Sequence, residues 1–317
     1  MANANPIKHV VIIVKENHAF DNYFGTFPGA NGVSNLTPAT DIPDVSPAHD
    51  HQTWLRRAQV AASEQYNAQT IPSYFSYAQQ FTLCDNYFTD VAGPSTPNHL
   101  MLVAGDSPVI NNPHKSDPPP LQPPFNLPSL PENLANAGLT WGNYGGYVFD
   151  MITNLEGSSS TYTSDKFATD AAAGNLPTVS WVYAPGTLSE HPKDSVSQGM
   201  AWTVSQVNAI VKGGLWDSTA IFITWDDWGG WYDHVDPQNV EQWSDGTQFR
   251  YGTRVGCLVL SAYAKRGYIS KVLHSHVSLV KFCENLYSLP PLTTRVTDAD
   301  GMDDCFDFTQ PAGGPPA

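Results

Sequence analysis

Short runs of apolar, β-branched residues separated by helical patterns are the feature of this sequence that most restricts its fold. Five such runs predict strands, at residues 9–14, 140–144, 178–183, 219–225 and 254–261. The runs are apolar on both faces, which is typical of strands buried in a parallel sheet. Apolar residues recurring every three or four positions predict helices, at about residues 131–137, 200–211 and 277–287. This alternation predicts an α/β sandwich with a mainly parallel sheet.

The charge balance argues against one broad class of function. The 317 residues include 15 basic and 30 acidic side chains, which gives a formal net charge of −15 at pH 7. Binding to nucleic acid needs clustered Lys and Arg, so we expect no nucleic-acid partner. The longest apolar runs are far shorter than the roughly 20 residues that a membrane-spanning helix requires, so we expect no integral membrane segment.

We expect residues 1–317 to form a single domain with two long irregular loops. The 24 glycines and 26 prolines indicate extended turns in a globular chain. The loops are predicted at about 29–52 and 108–131, and the second contains DPPPLQPP, whose prolines cannot donate backbone hydrogen bonds to a sheet. Such loops form the walls of binding sites or lie passively on the surface, and the sequence leaves both interpretations open.

The four cysteines show no metal-binding or redox motif. Cys84, Cys257, Cys283 and Cys305 include no CxxC pair, so neither a zinc ribbon nor a thioredoxin-like site is indicated. Cys257 lies in an apolar run and is expected to pack in the core. Cys283 and Cys305 flank a loop-rich stretch and are candidates for a disulfide, but buried free thiols are the alternative.

Oxygen-bearing side chains follow two of the predicted strands at their carboxyl ends. Glu16 and Asn17 follow the first strand, and Asp226 and Asp227 follow the strand at 219–225. Ligands of open α/β sheets bind beyond these ends, so the four residues are candidate ligands of a divalent cation. Oxygen donors favour Ca²⁺, Mg²⁺ or Mn²⁺, and a nearby histidine would make Zn²⁺ acceptable. Alternatively, Glu16 is a surface residue and the aspartates cap a turn.

A predicted helix N-terminus supplies the candidate nucleophile. The segment GPSTPNH precedes the apolar run 100–104, and its Ser, Thr and Pro residues are typical of the first turn of a helix. A hydroxyl there lies at the positive end of the helix dipole, beside N–H groups that favour an alkoxide or a phosphate oxygen. Ser95 and Thr96 are therefore both candidate nucleophiles, unless they simply cap the helix.

Histidines and an aromatic loop complete the set of candidates. Several histidines follow predicted strands, where imidazole binds phosphate, ligates a metal or protonates a leaving group. They are His49, His51, His191, His234, His274 and His276. The aromatic side chains of Trp228, Trp231 and Tyr232 either line a substrate mouth, where they would present an apolar face to lipid, or close the core.

Six segments of the chain, in order, resemble bacterial phosphoesterases of the alkaline phosphatase superfamily. That family includes phosphatidylcholine-hydrolysing phospholipases C and AcpA-type acid phosphatases. The segments span residue 8 to about 295 and read KHVVIIVKENHAFDNYFGTFPG, FTLCDNYFTDVAGPSTPNHLMLVAG, SEHP, AIFITWDDWGGWYDHV, RVGCLVLSAYAKRGYI and HSHVSLVKFCENLYSLPPLT. The resemblance implies a three-layer α/β sandwich of the alkaline phosphatase type and a metal-dependent phosphoester hydrolase.

The resemblance also implies roles for individual residues. The implied metal ligands are Glu16, Asn17, Asp226 and Asp227. The implied catalytic residues are Ser95 as the nucleophile, in preference to Thr96, with His191 and His234 near the phosphate. The implied substrate-binding residues are His51, Asn98 and His276. Many relatives carry Arg where His18 and His99 stand, which leaves open how this chain holds its substrate at those positions.

We expect hydrolysis through a phosphoseryl intermediate, and a phosphomonoesterase of the acid phosphatase type. The sequence ends at residue 317, without the C-terminal domains of some phospholipases C, and this favours the phosphatase. The first alternative is a phospholipase C that releases a phosphorylated headgroup from phosphatidylcholine. The second is a noncatalytic ligand-binding protein on the same scaffold, whose expected sign is damage at the metal or nucleophile positions.

The expected partner is a small-molecule phosphoester or a phospholipid, and the oligomeric state stays open. We expect a secreted or periplasmic protein, because many relatives are exported and the first four residues, MANA, are compatible with a start left after signal removal. A cytoplasmic protein would have the same sequence features.

Overall fold

The computed structural model describes residues 5–317 and is built on a nine-stranded sheet. The strands are β1 His9–Lys15, β2 Thr37–Pro38, β3 Glu64–Gln65, β4 Thr82–Phe88, β5 Trp141–Tyr144, β6 Thr161–Tyr162, β7 Val179–Tyr183, β8 Thr219–Trp225, β9 Glu241–Gln242, β10 Gln248–Arg250, β11 Arg254–Ser261, β12 Tyr268–Ser270 and β13 His274–Ser275. The main sheet has the order β12-β4-β11-β8-β1-β7-β5-β6, with β13 beside β4, while β2/β3 and β9/β10 form separate pairs. Strand β11 runs antiparallel to both neighbours, and the other pairings of the sheet are parallel.

Two groups of helices accompany the sheet and complete the three layers. The helices are α1 Phe20–Phe24, α2 His51–Trp54, α3 Arg57–Val60, α4 Pro72–Gln80, α5 Ser95–Ala104, α6 Leu130–Asn136, α7 Lys166–Ala172, α8 Val196–Lys212, α9 His276–Tyr287 and α10 Thr294–Asp298. Short 3₁₀ segments lie at Tyr147–Met151, Gly186–Leu188, Trp216–Ser218 and Asp303–Cys305. Helices α4 and α7 contact α8, whereas α5, α6, α9 and α10 form the second group.

The central strands explain the continuous apolar runs of the sequence. Strands β8 and β11 are buried along their whole length, and β1 is buried from its second residue onward. A strand covered by helices on both faces must be apolar on both faces, as parallel strands of α/β proteins are. In the pairing of β1 with β8, Lys15 lies opposite Trp225. The two strands therefore end at the same level, and the residues that follow them meet at one edge of the sheet.

The predicted strands and helices agree closely with the structure, but one central strand, β4, was not predicted. All five predicted strands and the helices α6, α8 and α9 are present, with ends shifted by a few residues. Strand β4 was missed because its sequence, TLCDNYF, places polar side chains among the apolar ones. One oxygen of the buried Asp85 carboxylate, Oδ2, accepts hydrogen bonds from the Asn31 backbone N–H at 2.7 Å and from the Lys271 ammonium, so tertiary contacts accommodate its charge inside the fold.

The structure corrects the disulfide suggested for Cys283 and Cys305. All four cysteines lie within the described residues, are buried, and carry no disulfide. Cys257 packs in the core of β11 as expected. The sulfur nearest to Cys305 Sγ belongs to Cys84, at 3.7 Å. Position along the chain misled the prediction, because β4 and the C-terminal segment meet only in the folded sheet.

The two stretches predicted to be irregular contain little regular structure. Residues 29–52 include β2 and the start of α2, and residues 108–131 contain no strand and end at the start of α6. The single-domain organisation stays a prediction. Among the helices of residues 5–317, none combines the length and the apolar character needed to cross a bilayer. The predicted signal-cleaved start, residues 1–4, lies outside the described residues.

A buried ion pair holds the SEHP loop against the end of β1. The Lys15 ammonium lies 3.3 Å from the Glu190 carboxylate, and both side chains are fully buried. Glu190 also accepts hydrogen bonds from the hydroxyls of Tyr23 at 2.9 Å and Tyr74 at 2.6 Å and from the Trp225 indole at 3.2 Å. These contacts place His191, the next residue, at the edge where β1 and β8 end.

Removing one partner of this pair should destabilise the fold strongly. We expect Lys15→Met to lower the free energy of unfolding by about 3–5 kcal/mol, because it leaves Glu190 buried without a counter-charge. Urea unfolding followed by circular dichroism measures this. The matched control is Lys212→Met, which removes an exposed lysine. Equal losses in the two variants would contradict the role of the pair.

Candidate functional site

The adjacent ends of β1 and β8 bring the four predicted metal ligands together. The Asn17 backbone N–H donates to Asp226 Oδ1 at 2.8 Å, and the Asn17 amide donates to Asp227 Oδ1 at 3.2 Å. Asn17 adopts a left-handed conformation with φ of 62°, which turns the chain sharply after Glu16. Gly229, with φ of 59°, packs against the Asn17 backbone, where a Cβ would collide with the Asn17 carbonyl. The cluster is therefore fixed by the backbone of two loops.

The hydroxyl of Ser95 faces this cluster. Ser95 is the first residue of α5, and its Oγ donates to Asp227 Oδ2 at 3.0 Å. The neighbouring Thr96 is engaged elsewhere, because its Oγ1 lies 3.0 Å from the Tyr147 hydroxyl and its N–H donates to Asn112 Oδ1. Of the two hydroxyls left open by the sequence, only that of Ser95 contacts the carboxylates within the described part of the chain.

Asn98 shapes the loop that carries Ser95. Its side chain is fully buried, its Oδ1 accepts from the Val91 N–H at 2.8 Å, and its Nδ2 donates to the carbonyls of Val91 and Pro94, both at 3.1 Å. The amide is thus saturated by the backbone of its own loop. These contacts hold the Ser95 loop in shape, and the substrate contact implied for Asn98 by the resemblance stays a prediction.

His99 joins the cluster and was not among the predicted ligands. Its Nε2 lies 3.2 Å from Asp226 Oδ2 and 3.4 Å from Glu16 Oε1, and the three side chains are close enough to share one ion. The sequence did hold a signal. His99 stands four residues after Ser95, so a helix places both on one face, directed at the same strand ends. From the sequence, His99 was treated only as a replacement for the arginine of many relatives, and its imidazole was not considered as a metal ligand.

The pKa values in the cluster reflect the mutual repulsion of its three buried carboxylates. Burial and the charge of Asp226 raise the pKa of Asp227 to about 8, and the same two causes raise the pKa of Glu16. Burial alone would lower the pKa of His99, but its contacts with Asp226 and Glu16 raise that pKa to about 10. Burial opposes ionisation of Asp226, yet the close contact and charge of His99 bring its pKa below the usual value. The site therefore demands positive charge.

The donor atoms fit a divalent cation. Within residues 5–317, no hydrogen-bond partner is found for Asn17 Oδ1, Asp226 Oδ2 or either His99 ring nitrogen, although all are buried. Buried polar atoms left unpaired are costly, and a shared cation satisfies them together. Carboxylate, amide and imidazole donors suit Mn²⁺ or Zn²⁺ as well as the harder ions. The geometry thus supports the predicted cluster and adds His99 to it.

Two further histidines border the cluster. His49 Nε2 lies 3.0 Å from the Asn17 amide and 4.0 Å from Asp227 Oδ2. Burial would lower the pKa of His49, but the charge of Asp227 outweighs it and raises that pKa. The ring of His191 lies 6.4 Å from the His49 ring. His191 therefore lies beside the strand ends, as predicted, and His49, a candidate to which the sequence gave no specific role, lies beside Asn17 and Asp227.

His51 and His276, the two predicted substrate-binding histidines, are buried and bonded to protein atoms. His51 donates through Nδ1 to the Ala92 carbonyl at 2.6 Å, and its Nε2 lies 2.7 Å from Thr247 Oγ1. His276 donates through Nε2 to the Asp226 carbonyl at 2.7 Å. Both nitrogens of His51 are occupied, and His276 fixes the backbone of a candidate ligand. The structure therefore assigns positioning roles to these residues rather than substrate contact.

His234 lies apart from Ser95. Its Nδ1 is 2.6 Å from Asp21 Oδ2, and the other oxygen of Asp21 accepts from Arg254 at 3.2 Å. In the described part of the chain, the hydrogen bonds and the ion pair of His234 involve Asp21 and Asn31, and they include neither Ser95 nor the carboxylates of the cluster. Its position in the sequence, soon after the Asp pair, suggested catalysis, but the intervening turn directs it to a different carboxylate.

The aromatic loop packs mostly against the core. Trp228 and Trp231 are each 1% exposed. Trp228 packs with Trp54 and Ala92, and the Trp231 ring stacks on that of His18 at 6.0 Å. Both tryptophans also line a cavity of about 310 Å³ with Tyr232, so the two interpretations of this loop, core packing and substrate mouth, both stay open. Aromatic side chains near the cluster come from other loops, with the ring of Tyr147 5.3 Å from that of His99.

Comparison with known proteins identifies the family. The model of the family described as "Phosphoesterase family" matches residues 7–52 and 45–290. The chain belongs to the phosphoesterase family. It is 25% identical to the non-hemolytic phospholipase C of Pseudomonas aeruginosa, with 99% of this chain aligned to 59% of that protein. It is 26% identical to phospholipase C B of Mycobacterium tuberculosis, with 96% of this chain aligned to 78% of that protein. This phosphoesterase thus spans about three fifths of the Pseudomonas relative.

Solved structures establish the fold of this phosphoesterase as alkaline phosphatase-like. The PsFucS1 sulfatase from Pseudoalteromonas sp. matches with a TM-score of 0.56 and 12% identity, covering 98% of this chain and 74% of the sulfatase. Murine ectonucleotide pyrophosphatase/phosphodiesterase 5 matches with a TM-score of 0.54 and 9% identity, covering 95% and 100% of the two chains. The predicted family and the three-layer α/β sandwich are both confirmed.

Removing the charge of Asp227 should stabilise the metal-free phosphoesterase at alkaline pH. The pKa of Asp227 is about 8 in the fold and about 3.9 in an unfolded chain. The folded state therefore binds the extra proton between these values, and its stability falls as the pH rises through that window. We expect Asp227→Asn to melt at a higher temperature than wild type in chelator at pH 8, with a smaller difference at pH 5.

Two additions make this measurement specific. Saturating Mn²⁺ should reverse the order, because the cation stabilises the wild type by mass action and binds the variant weakly. Asp217→Asn, which neutralises an exposed carboxylate, is the control and should follow the wild type at both pH values. Identical pH dependence of wild type and Asp227→Asn in chelator would refute the electrostatic account.

Proposed function

We propose that this phosphoesterase is a metal-dependent hydrolase of phosphodiesters, of the phospholipase C type, that acts through a phosphoseryl intermediate. The observation that carries the proposal is the contact of Ser95 Oγ with Asp227 at the start of α5, beside the cluster of Glu16, Asn17, Asp226 and His99. A hydroxyl held against buried carboxylates at a helix N-terminus has both a proton acceptor and a favourable field for an anionic substrate.

The proposed roles follow from the contacts. Ser95 Oγ attacks phosphorus, and its proton passes to Asp227 Oδ2, the oxygen that already accepts its hydrogen bond at 3.0 Å. The N-terminal N–H groups of α5 stabilise the negative charge that develops on the phosphoryl oxygens. His191, at the border of the cluster and beside His49, donates one proton to the departing oxygen and later takes one from the water that breaks the phosphoseryl bond, while Asp227 returns its proton to Ser95 Oγ. His234 is left out of this set because Asp21 engages it.

A divalent cation would be held by Glu16, Asn17, Asp226 and Asp227, with His99 as an added ligand. When bound, such an ion supplies positive charge that lowers the pKa of the attacking hydroxyl and stabilises the transition state. The imidazole donor favours Mn²⁺ or Zn²⁺ over Ca²⁺ and Mg²⁺, which prefer ligand sets made of oxygen alone. All these positions carry intact ligand side chains, which supports catalysis over the noncatalytic alternative.

Two cavities approach the segment around Ser95, one through Tyr147 and the other through Pro94, and they support a diester substrate in place of the monoester expected from the sequence. One, of about 620 Å³, is lined by Tyr147, Tyr162 and Trp202, and Tyr147 also contacts Thr96, the neighbour of Ser95. The other, of about 420 Å³, is lined by His49 and Pro94. A diester carries an organic group on each side of phosphorus, so it needs space on both sides of the nucleophile. The names of the relatives, phospholipases C, support the same choice.

The aromatic cavity suits the apolar part of a lipid. Tyr147 is 42% exposed there, and Trp202 is partly buried. We propose that this side receives the glycerol end of a phospholipid and that the smaller cavity receives the headgroup alcohol. Aromatic rings offer large apolar contact at low entropic cost. The proposed partner is thus a phospholipid presented at a membrane or micelle surface.

Loss of the Ser95 hydroxyl should abolish turnover. We expect Ser95→Ala to lower kcat by roughly 10³-fold or more, because the covalent step disappears. The matched control is Thr96→Val, which removes the adjacent hydroxyl and should cost only a few-fold. Release of p-nitrophenol from p-nitrophenyl phosphorylcholine at saturating Mn²⁺ measures both. Near wild-type turnover by Ser95→Ala would exclude it as the nucleophile.

Removing the Tyr147 ring from the aromatic cavity tests whether the substrate is a lipid diester or a monoester. We expect wild type to release phosphocholine from dispersed phosphatidylcholine with a higher kcat/KM than it hydrolyses p-nitrophenyl phosphate. Tyr147→Ala should lower the first value about tenfold and the second less than twofold, because a monoester has no group in that cavity. The control is Phe308→Ala, which removes an aromatic ring that is 40% exposed elsewhere. A wild-type preference for the monoester would restore the phosphatase interpretation.

A further inference from the structure

A second group of ligating side chains lies outside the candidate active site. Cys84 comes from β4, His274 from β13, and Asp304 and Cys305 from the C-terminal 3₁₀ segment. Cys84, His274 and Cys305 are each fully buried, and their ligating atoms lie within 4.8 Å of one another. The group shares no residue with the cluster around Ser95. Neither the family relationship nor the proposed hydrolysis gives these four residues a role.

The distances in this group match a tetrahedral metal site. The sulfurs of Cys84 and Cys305 are 3.7 Å apart, and two thiolates bound tetrahedrally at about 2.3 Å from zinc lie about 3.8 Å apart. Asp304 Oδ1 is 3.5 Å from Cys305 Sγ and 3.2 Å from His274 Nε2. Cys84, His274 and Cys305 form one compact group, and Asp304 belongs to an overlapping group through His274, so a small shift of the Asp304 side chain would complete a set of two sulfurs, one nitrogen and one oxygen.

We propose that Cys84, His274, Asp304 and Cys305 bind a structural Zn²⁺ ion. Two soft thiolates and an imidazole select zinc over Mg²⁺, Ca²⁺ and Mn²⁺, which prefer oxygen. Four protein ligands close the coordination sphere, as is typical of a structural rather than a catalytic zinc. Cys305 and Asp304 are adjacent in sequence, and the other two ligands are remote, so the ion would join three separate parts of the chain.

A fifth residue, Asp300, lies beside the second ring nitrogen of His274. His274 Nδ1 lies 3.1 Å from Asp300 Oδ1, yet it has no hydrogen bond of proper geometry among the described residues. Metal-bound histidines commonly place their second nitrogen against a carboxylate, which orients the ring and increases its basicity. Asp300 is partly exposed and the Asp304 side chain is 20% exposed, which gives an ion a route into the buried thiols.

The site would fasten the C-terminal segment to the sheet. Cys84 and Cys305 are separated by 221 positions, and a link across such a long loop restricts the unfolded chain strongly. His274 also stands two residues before His276, whose ring holds the Asp226 carbonyl. Zinc at this site would therefore stabilise the strand that leads to the candidate active site without taking part in its chemistry.

Cobalt substitution tests the proposal on the unmodified chain. Protein purified and refilled with Co²⁺ should show sulfur-to-cobalt charge-transfer absorption, which the cluster around Ser95 cannot produce because it contains no sulfur. We expect Cys305→Ser and Asp304→Asn to lose one zinc per chain by elemental analysis. Cys283→Ser, which alters a buried thiol on α9, should retain it. This readout is independent of hydrolytic activity, so it succeeds or fails separately from the proposed function.

The strongest competing arrangement is a Cys84–Cys305 disulfide. Thiol titration of the wild type, unfolded in chelator without reductant, distinguishes the two and requires no variant to fold. Four reactive thiols, with charge-transfer absorption in the cobalt form, would support the zinc site. Two reactive thiols would overturn it in favour of the disulfide. Absence of the charge-transfer band, or equal zinc loss in Cys283→Ser, would also overturn it.

Discussion

The confinement of Glu16, Asp226 and Asp227 at one edge of the sheet is the constraint on which the rest of the site depends. Buried carboxylates cannot all ionise together, so positive charge must accompany them. The structure supplies part of it through His99, which contacts Glu16 and Asp226. The hydroxyl of Ser95 enters the same field by its contact with Asp227. The proposed nucleophile, proton acceptor and cation site therefore all depend on the same concentration of charge.

Much of the fold follows from the sequence because burial on both faces leaves a clear pattern. Strands β1, β8 and β11 read as continuous apolar runs, and their predicted limits agree with the structure. Strand β4 was not predicted because its polar side chains are accommodated by tertiary contacts, such as the ion pair of Asp85 with Lys271. The pairing of Cys305 was also out of reach, since two remote segments become neighbours only through the order of the strands.

The part of the site that could be predicted from the sequence consists of residues that directly follow a strand end. Glu16, Asn17, Asp226 and Asp227 meet because β1 and β8 end in register. Histidines on longer loops were harder to place, since turns decide where they point. His51 and His276 donate hydrogen bonds to backbone carbonyls, and His234 is hydrogen-bonded to Asp21. His99 was overlooked because one helical turn, rather than sequence adjacency, joins it to Ser95.

His99 gives the cluster two electrically similar states. With its pKa near 10 the ring is protonated at neutral pH and serves as the counter-ion of the carboxylates. To ligate a cation, the same ring must surrender its proton, so one charge replaces another at nearly the same point in space. An imidazolium between Glu16 and Asp226 thus keeps a positive charge at the centre of the loops when no cation occupies the site.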